Sequence, residues 1–296
     1  MCLTSVPTEL DGTGVPLCYI FVGISASEQV SSSADPGAKT SILQQFLQPL
    51  KNAGCDPIFY GCDKDMAEIS AIRQVWPDTS IQLCYWHGKR AIRMKLGDAK
   101  KTKTQKSYFP ARAKAFVPNL EICWGSHLTR RPDGDHRYAR CHCVSSGTEI
   151  SEFGRLETGN MAERNIVLNM LSRHFNMHSM IPDQNGTYRS VQQIYLDCIN
   201  EIYIWCRTRN YFRLWAYLYV NWYTPEQWKL WERSTSPTSL PVLKTTMIIE
   251  SYWRKIKHDY LHRFNRPRFD LVCWVITSRV VPLAVEKITA LLDKSN

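Results

Sequence analysis

The sequence predicts an α/β protein with a mixed sheet, joined to a large all-helical block. Three observations predict it. Short apolar runs at Leu17–Ile24, Pro57–Gly61 and Ser80–Trp86 alternate with stretches of helical spacing, the order expected when helices pack on a sheet. From Asn160 to about Arg233 the strand signals stop and apolar residues recur only at helical spacing. An acid, Asp63, and a Cys-x-x-His step, Cys84 to His87, fall where two of the apolar runs end.

Taken in order, Leu17 to Ile24 reads as a central strand, and Asp11-Gly-Thr-Gly14 before it is a turn signal that implies a partner strand upstream. That partner has to come from Met1 to Leu10, which contains Pro7 and little β-pattern. Ser25 to Gly37 is a polar loop. Ile42, Leu43, Phe46, Leu47 and Leu50 mark a helix over 42–53, with Gly54 as its stop. Pro57 to Gly61 is the next strand, followed by a helix over 64–76 with Met66, Ile69, Ile72 and Val75 on one side. Ser80 to Trp86 is predicted as a strand and Arg90 to Leu96 as a basic helix. Lys100 to Glu149 is predicted irregular, rich in Pro, Gly, His and Cys.

In the helical block, Val167, Leu168, Leu171 and Phe175 mark one helix, and a second runs from Val191 to Trp205. Phe212 to Tyr223 is aromatic-dense, and Pro225 sits where a helix starts. Helices over about 245–261 and 271–292 close the chain. No internal repeat is present.

The 296 residues are 44% hydrophobic and 22% charged, ordinary for a globular protein with a sizeable core. The formal charge of +10 favours an acidic partner, nucleic acid first. Between Lys89 and Lys114 ten Lys/Arg face Asp98 alone. Lys89, Arg90, Arg93, Lys95, Lys100, Lys101 and Lys103 are therefore candidate DNA contacts, the alternative being a solvated loop and helix face. The 11 cysteines are odd in number and several sit inside apolar runs, as buried thiols do in a reducing compartment. No signal peptide is visible, and no apolar run nears the ~18–20 residues that span a bilayer. An intracellular location is expected, with no membrane partner and no small-molecule substrate.

Asp63 is the strongest acidic candidate. At a strand tip it can bind Mg²⁺ or Mn²⁺ through oxygen; as a helix-flanking acid it can equally be an N-cap. Glu250 sits at the margin of an apolar stripe formed by Ile249, Trp253, Ile256 and Tyr260. It is a candidate metal ligand or the partner of Arg254 one turn away. Cys84 and His87 have the two-residue gap of zinc sites, or Cys84 is a buried strand residue. Cys123, His127, His136 and Cys141-His142-Cys143 are further candidates, but no second well-spaced Cys pair completes a four-ligand set. Trp205, Trp215, Trp222, Trp228 and Trp231 can stack on unpaired bases if exposed, and at helical spacing read first as core.

Three segments carry a family resemblance. They are Gly61-Cys-Asp63-Lys-Asp65-x-x-Glu68, Gln82-Leu-Cys84-Tyr-Trp86-His87-x-x-Arg90-Ala-Ile92, and Lys244-Thr-Thr-Met247-Ile-x-Glu250-Ser-x-Trp253-Arg-x-Ile-Lys257. With His174-Phe-Asn, Ile181-Pro-Asp-x-Asn-Gly-Thr, Leu214-Trp-Ala-Tyr and Asn265-Arg-Pro-Arg268, the chain resembles the Mutator-like (MULE) DDE transposases, most of all those of mushroom-forming fungi. The resemblance runs from about Leu10 to the C-terminus.

It implies an RNase H-like mixed sheet flanked by helices, with an all-α insertion before the last catalytic helix. Residues 1–115 then form the first part of the core, 116–159 a Cys/His-rich basic linker, 160–240 the insertion, and 241–296 the last catalytic helix and its successor. It also implies a nuclear protein, possible pairing as a homodimer, and DNA cleavage and strand transfer by two Mg²⁺ or Mn²⁺ ions held by Asp, Asp and Glu. Asp63 matches the second Asp and Glu250 the Glu; Cys84 and His87 match the family's Cys-x-x-His step. The first Asp is the departure. Gly14-Val-Pro-Leu17 matches the strand after the one that carries it, Asp11 falls in a turn, and Met1 begins too late to include it. The family's N-terminal DNA-binding module is missing as well. The expectation is a transposase core with little or no activity as this chain. The alternatives are a catalytically dead DNA-binding remnant and a zinc-stabilised interaction protein.

Overall fold

The computed structural model describes residues 2–7, 14–20, 36–97, 108–122, 124, 156, 159–236 and 246–295. The chain divides into two compact units, 1–55 with 245–296, and 56–244. It is mostly helical. The described strands form two separate two-stranded sheets, one antiparallel and one parallel, where the sequence predicted one mixed sheet.

In the first unit, β1 (Cys2–Pro7) pairs antiparallel with β2 (Gly14–Ile20). The upstream partner implied by the turn signal is thus present, despite the weak β-pattern of those residues. The register shifts between Thr4 and Ser5, opposite Pro16, and an irregularity is what a residue without an N–H imposes on a ladder. Asp11 and residues 21–24 of the expected strand lie outside the described residues. Helix α1 (Pro36–Asn52) ends as Gly54 takes φ +86°, with the Cys55 N–H returning 3.0 Å to the Leu50 carbonyl. That left-handed stop is why glycine stands there.

Three helices from the C-terminal part of the chain belong to the same unit. They are α9 (Met247–Lys255), α10 (Phe269–Val275) and α11 (Val281–Ser295). Ile256, Leu261, Val275, Ile276 and Val280 form their buried core. Tyr19 of β2 packs on Tyr252 and Trp253, ring centroids 6.2 Å from each, and its hydroxyl is hydrogen-bonded to that of Tyr252. A π-turn over Ile276–Val280 links α10 to α11 just before Pro282. Proline has no N–H to give and crowds the carbonyl four residues back; the wider turn relieves both constraints.

The second unit opens with β3 (Phe59–Cys62), α2 (Met66–Val75), β4 (Ser80–Leu83) and α3 (Tyr85–Gly97). The two strands are parallel, in register from Phe59 opposite Ser80 to Cys62 opposite Leu83. Ile69, Ala71, Ile72 and Val75 bury the inner side of α2. Its N-cap is Asp65, which accepts from the Ala67 and Glu68 N–H groups at 3.0 and 3.4 Å. Asp63 therefore does not cap this helix.

The strand predicted to reach Trp86 stops at Leu83. The Cys84 N–H donates to the Cys62 carbonyl at 2.8 Å, completing the ladder, and the Gly88 N–H donates to the Cys84 carbonyl at 3.0 Å, opening α3. Tyr85, Trp86 and His87 are thus helical. In the stretch predicted irregular, α4 (Pro110–Lys114) forms with Pro110 at its start.

The helices of the block are α5 (Met161–Asn176), α6 (Val191–Thr208), α7 (Phe212–Leu218) and α8 (Pro225–Trp231). Asn160 with Glu163, and Ser190 with Gln193, make reciprocal capping boxes on α5 and α6. Asn210 ends α6 at φ +56°, a conformation asparagine tolerates better than most residues. Trp215, Trp222, Trp228 and Trp231 are buried, so the core reading holds for these four. Trp205 is half-buried under the Arg209 guanidinium.

This block belongs to the same unit as β3 and β4. The buried Gln82 amide donates to the Trp231 carbonyl at 2.8 Å, Tyr85 donates to Ser172 at 2.5 Å, and the Tyr85 and Phe175 rings lie 4.5 Å apart.

Two buried polar groups stand out. His174, fully buried, sits 2.6 Å from the Tyr223 hydroxyl through Nδ1 and 3.0 Å from Glu201 through Nε2. Burial lowers the His174 pKa against the pull of Glu201. His174 and Arg173 together hold Glu201 down at about 2. Glu232, also buried, accepts from the Ser234 N–H and hydroxyl, and burial pushes its carboxyl up to about 8.

Two outcomes are expected. Tyr223→Phe strips the buried His174 of a partner and costs about 1–3 kcal/mol, read as a lowered urea midpoint. Glu232 keeps its proton in the folded chain at pH values where the unfolded chain has lost it, so its contribution falls as pH rises from its ordinary 4.5 toward 8. Glu232→Gln should therefore gain stability over the wild type as pH rises through that window, and parallel urea curves across it check this.

Candidate metal centre

Asp63, Cys84 and His87 come together because the β4–α3 junction is short. Asp63 follows the last residue of β3, and Cys84 the last of β4. Since Cys62 pairs with Leu83, the two following residues leave the sheet side by side at its carboxyl end, where open α/β sheets place ligands. One helical turn later His87 returns over the same point, its Nδ1 2.7 Å from the Asp63 carboxylate. The carboxylate, thiol and imidazole atoms all lie within 4.8 Å of one another. Asp63 is half exposed, His87 is 27% exposed and Cys84 is buried. The three could hold a metal ion with one side open to solvent.

The donors are one oxygen, one sulfur and one nitrogen. Thiolate and imidazole suit Zn²⁺ and its neighbours in the first row, whereas Mg²⁺ takes oxygen. The chemistry of this trio fits a transition ion.

The cations of α3 divide by face. Ile92 and Leu96 are buried, Lys89 and Lys95 are half-buried, and Trp86, Arg90 and Arg93 are exposed. Lys89 reaches over the Tyr85 ring at 5.7 Å, and the Arg90 guanidinium lies 5.2 Å from the Trp86 ring centre. Lys64, beside Asp63, sits 3.9 Å over the Trp222 ring and donates to the Asn221 carbonyl at 2.5 Å. Lys100, Lys101 and Lys103 lie outside the described residues, as do Cys123, His127, His136 and Cys141-His142-Cys143.

Glu250 is exposed on α9 and belongs to the other unit. It lines one surface with Trp253 and Arg254 of that helix and with Lys257 and His258 of the π-turn that follows it. Sequence reasoning paired Cys84 with His87 but missed that Asp63 joins them. The signal was the parallel register, which appears only once the strands are paired. It also missed Trp86 as an exposed residue, because the apolar run continues through it.

No family model matches the chain, and no solved structure matches it. Among curated proteins it is 25% identical over 280 residues to the mating-type protein ALPHA3 of Kluyveromyces lactis, over 94% of this chain and 28% of that protein. The chain thus spans less than a third of that relative's length. Among the described residues no helix is long and apolar enough to cross a membrane.

Adding Co²⁺ to the purified chain should give a sulfur-to-metal charge-transfer band and visible d–d absorption. Cys84→Ser should abolish the band, and Asp63→Asn or His87→Ala should weaken affinity at least about tenfold. Unchanged spectra in all three variants would place the ion elsewhere.

Proposed function

We propose that this chain is the core of a Mutator-like DDE transposase, a nuclear DNA-binding protein of RNase H-like fold. The observation that carries this reading is that Asp63, Cys84 and His87 converge at the carboxyl end of a parallel strand pair, and that the basic helix α3 leaves from the same point. These are residues on which the family resemblance rests. Under this reading Asp63 and Glu250, one in each unit, match two of the carboxylates that in the family hold paired Mg²⁺ or Mn²⁺ ions, which activate the attacking oxygen and stabilise the leaving one. The described strands of the first sheet, Cys2–Pro7 and Gly14–Ile20, carry no carboxylate. Among the described residues this leaves two of the family's three carboxylates, so the reading assigns binding of DNA to them and does not assign cleavage.

A second reading is favoured by the donor set. With Asp63, Cys84 and His87 as ligands, zinc fits better than magnesium, and would act as a structural ion or as a Lewis acid when bound. The protein is then a zinc-stabilised DNA-binding or interaction module. Chelation separates the two readings: it unfolds a zinc-stabilised chain and leaves a magnesium-dependent one folded.

Duplex DNA is expected to bind with an affinity that falls linearly in log salt, by about 0.9 in slope per phosphate contacted. Arg93→Ala should reduce that slope by about 1. Nicking of supercoiled DNA with Mg²⁺ or Mn²⁺ is expected to be absent. Nicking that disappears in Glu250→Ala would overturn the assignment, and failure to bind duplex at low salt would overturn the transposase reading itself.

A further inference from the structure

Trp86 is an unusual residue to leave in water. It is 40% exposed, one position before a candidate metal ligand, on a helix that buries Ile92 and Leu96 and leaves Trp86 and Met94 outward. Its ring is held on two sides. The His87 ring meets it edge-on with centroids 4.8 Å apart, and the Arg90 guanidinium lies over it at 5.2 Å. Arg90 and Arg93 follow Trp86 by four and seven residues, so the three share the outward face of α3. The helix carries Lys89, Arg90, Arg93 and Lys95 and no carboxylate. An exposed indole braced by His87 and Arg90, on a helix that carries four cations and no carboxylate, has the chemistry of a stacking platform for a base whose phosphates the cations hold.

We infer that Trp86 and Arg90 form a seat for one unpaired nucleobase of a DNA strand, beside the Asp63–Cys84–His87 centre. The occupant is single-stranded nucleic acid and not a duplex, because a base must be unstacked to present its face to the indole. Arg90 braces the ring and contributes charge, and Arg93 meets the backbone of the same strand. This rests on the DNA-binding reading above and adds to it the form of DNA that the site takes.

The test compares binding of a fluorescein-labelled oligo(dT) and of a labelled duplex of equal length, at one salt concentration, to the full chain and to three variants. Trp86→Ala and Trp86→Leu should each lower single-strand affinity by about five- to a hundredfold. Trp86→Phe, which keeps a π-face, should retain most of it. Duplex affinity should change less than about twofold, and Co²⁺ absorption should be unchanged, which shows that the neighbouring centre and the fold survive. Equal single-strand affinity in all forms would overturn the seat while leaving duplex binding intact. So would retention by Trp86→Leu, which has bulk but no ring. Loss of single-strand binding specific to Trp86, in a chain that never binds duplex, would keep the seat and sink the transposase reading.

Discussion

One buried hydrogen bond fixes much of the larger unit. Gln82 lies in β4 with its amide in the interior, and that amide has an acceptor only because Trp231 ends α8 alongside the strand. A buried amide without a partner costs more than most single packing contacts contribute, so α8 is held to the strand. Trp231 in turn sends its indole N–H 2.6 Å to the Trp222 carbonyl, within the π-turn Tyr219–Tyr223 that follows α7. The Trp222 ring then faces Gly88 so closely that a Cβ there would lie 3.4 Å from it. The same ring also carries Lys64, the neighbour of Asp63. The helical block and the two strands are in this sense one object: the position of α3, and with it His87, is set from the far end of the block.

The candidate metal centre follows from a junction of a single residue. Cys84 is both the last rung of the parallel ladder and the residue whose carbonyl opens α3. A longer connection would let His87 face away from the sheet. With one linking residue, the first turn of the helix is obliged to return over the carboxyl ends of both strands, where Asp63 already stands. Cys62, opposite Leu83 and deeply buried, has its thiol pKa raised by burial and then by Glu68 and Asp63. It stays a neutral packing residue while Cys84, one register step on, joins the site.

Much of this was legible in the sequence where a local rule decides. Gly54 as a stop, Pro225 as a helix start and the apolar stripe of α2 each depend on a few neighbouring residues. What was not legible depends on pairing at a distance or on competing local choices. Asp63 and Asp65 both precede α2, and either is a plausible cap; the extended backbone at Asp65 decides it. The run Ile81-Gln-Leu-Cys-Tyr-Trp86 is apolar throughout, so periodicity cannot say where strand gives way to helix. His174 and Tyr223 meet across 49 residues, with nothing in either neighbourhood to announce it. The strands read correctly as strands, but how they group into sheets is a long-range property, and the two separate pairs were not foreseen.

The division of the chain also sets an order of events during synthesis. Residues 56–244 are contiguous, so the unit that carries Asp63, Cys84 and His87 can close as soon as it has left the ribosome. The other unit is assembled from both ends. Tyr19 and its partner Tyr252 are 233 residues apart, a delay on the order of ten to fifty seconds at ordinary elongation rates. Through that interval the β1–β2 pair has no α9 to rest on, and a two-stranded ribbon alone is marginal in water with both edges open to other chains. The β1–β2 pair is made long before its packing partner, and its exposure to chaperones and to aggregation is written into the topology.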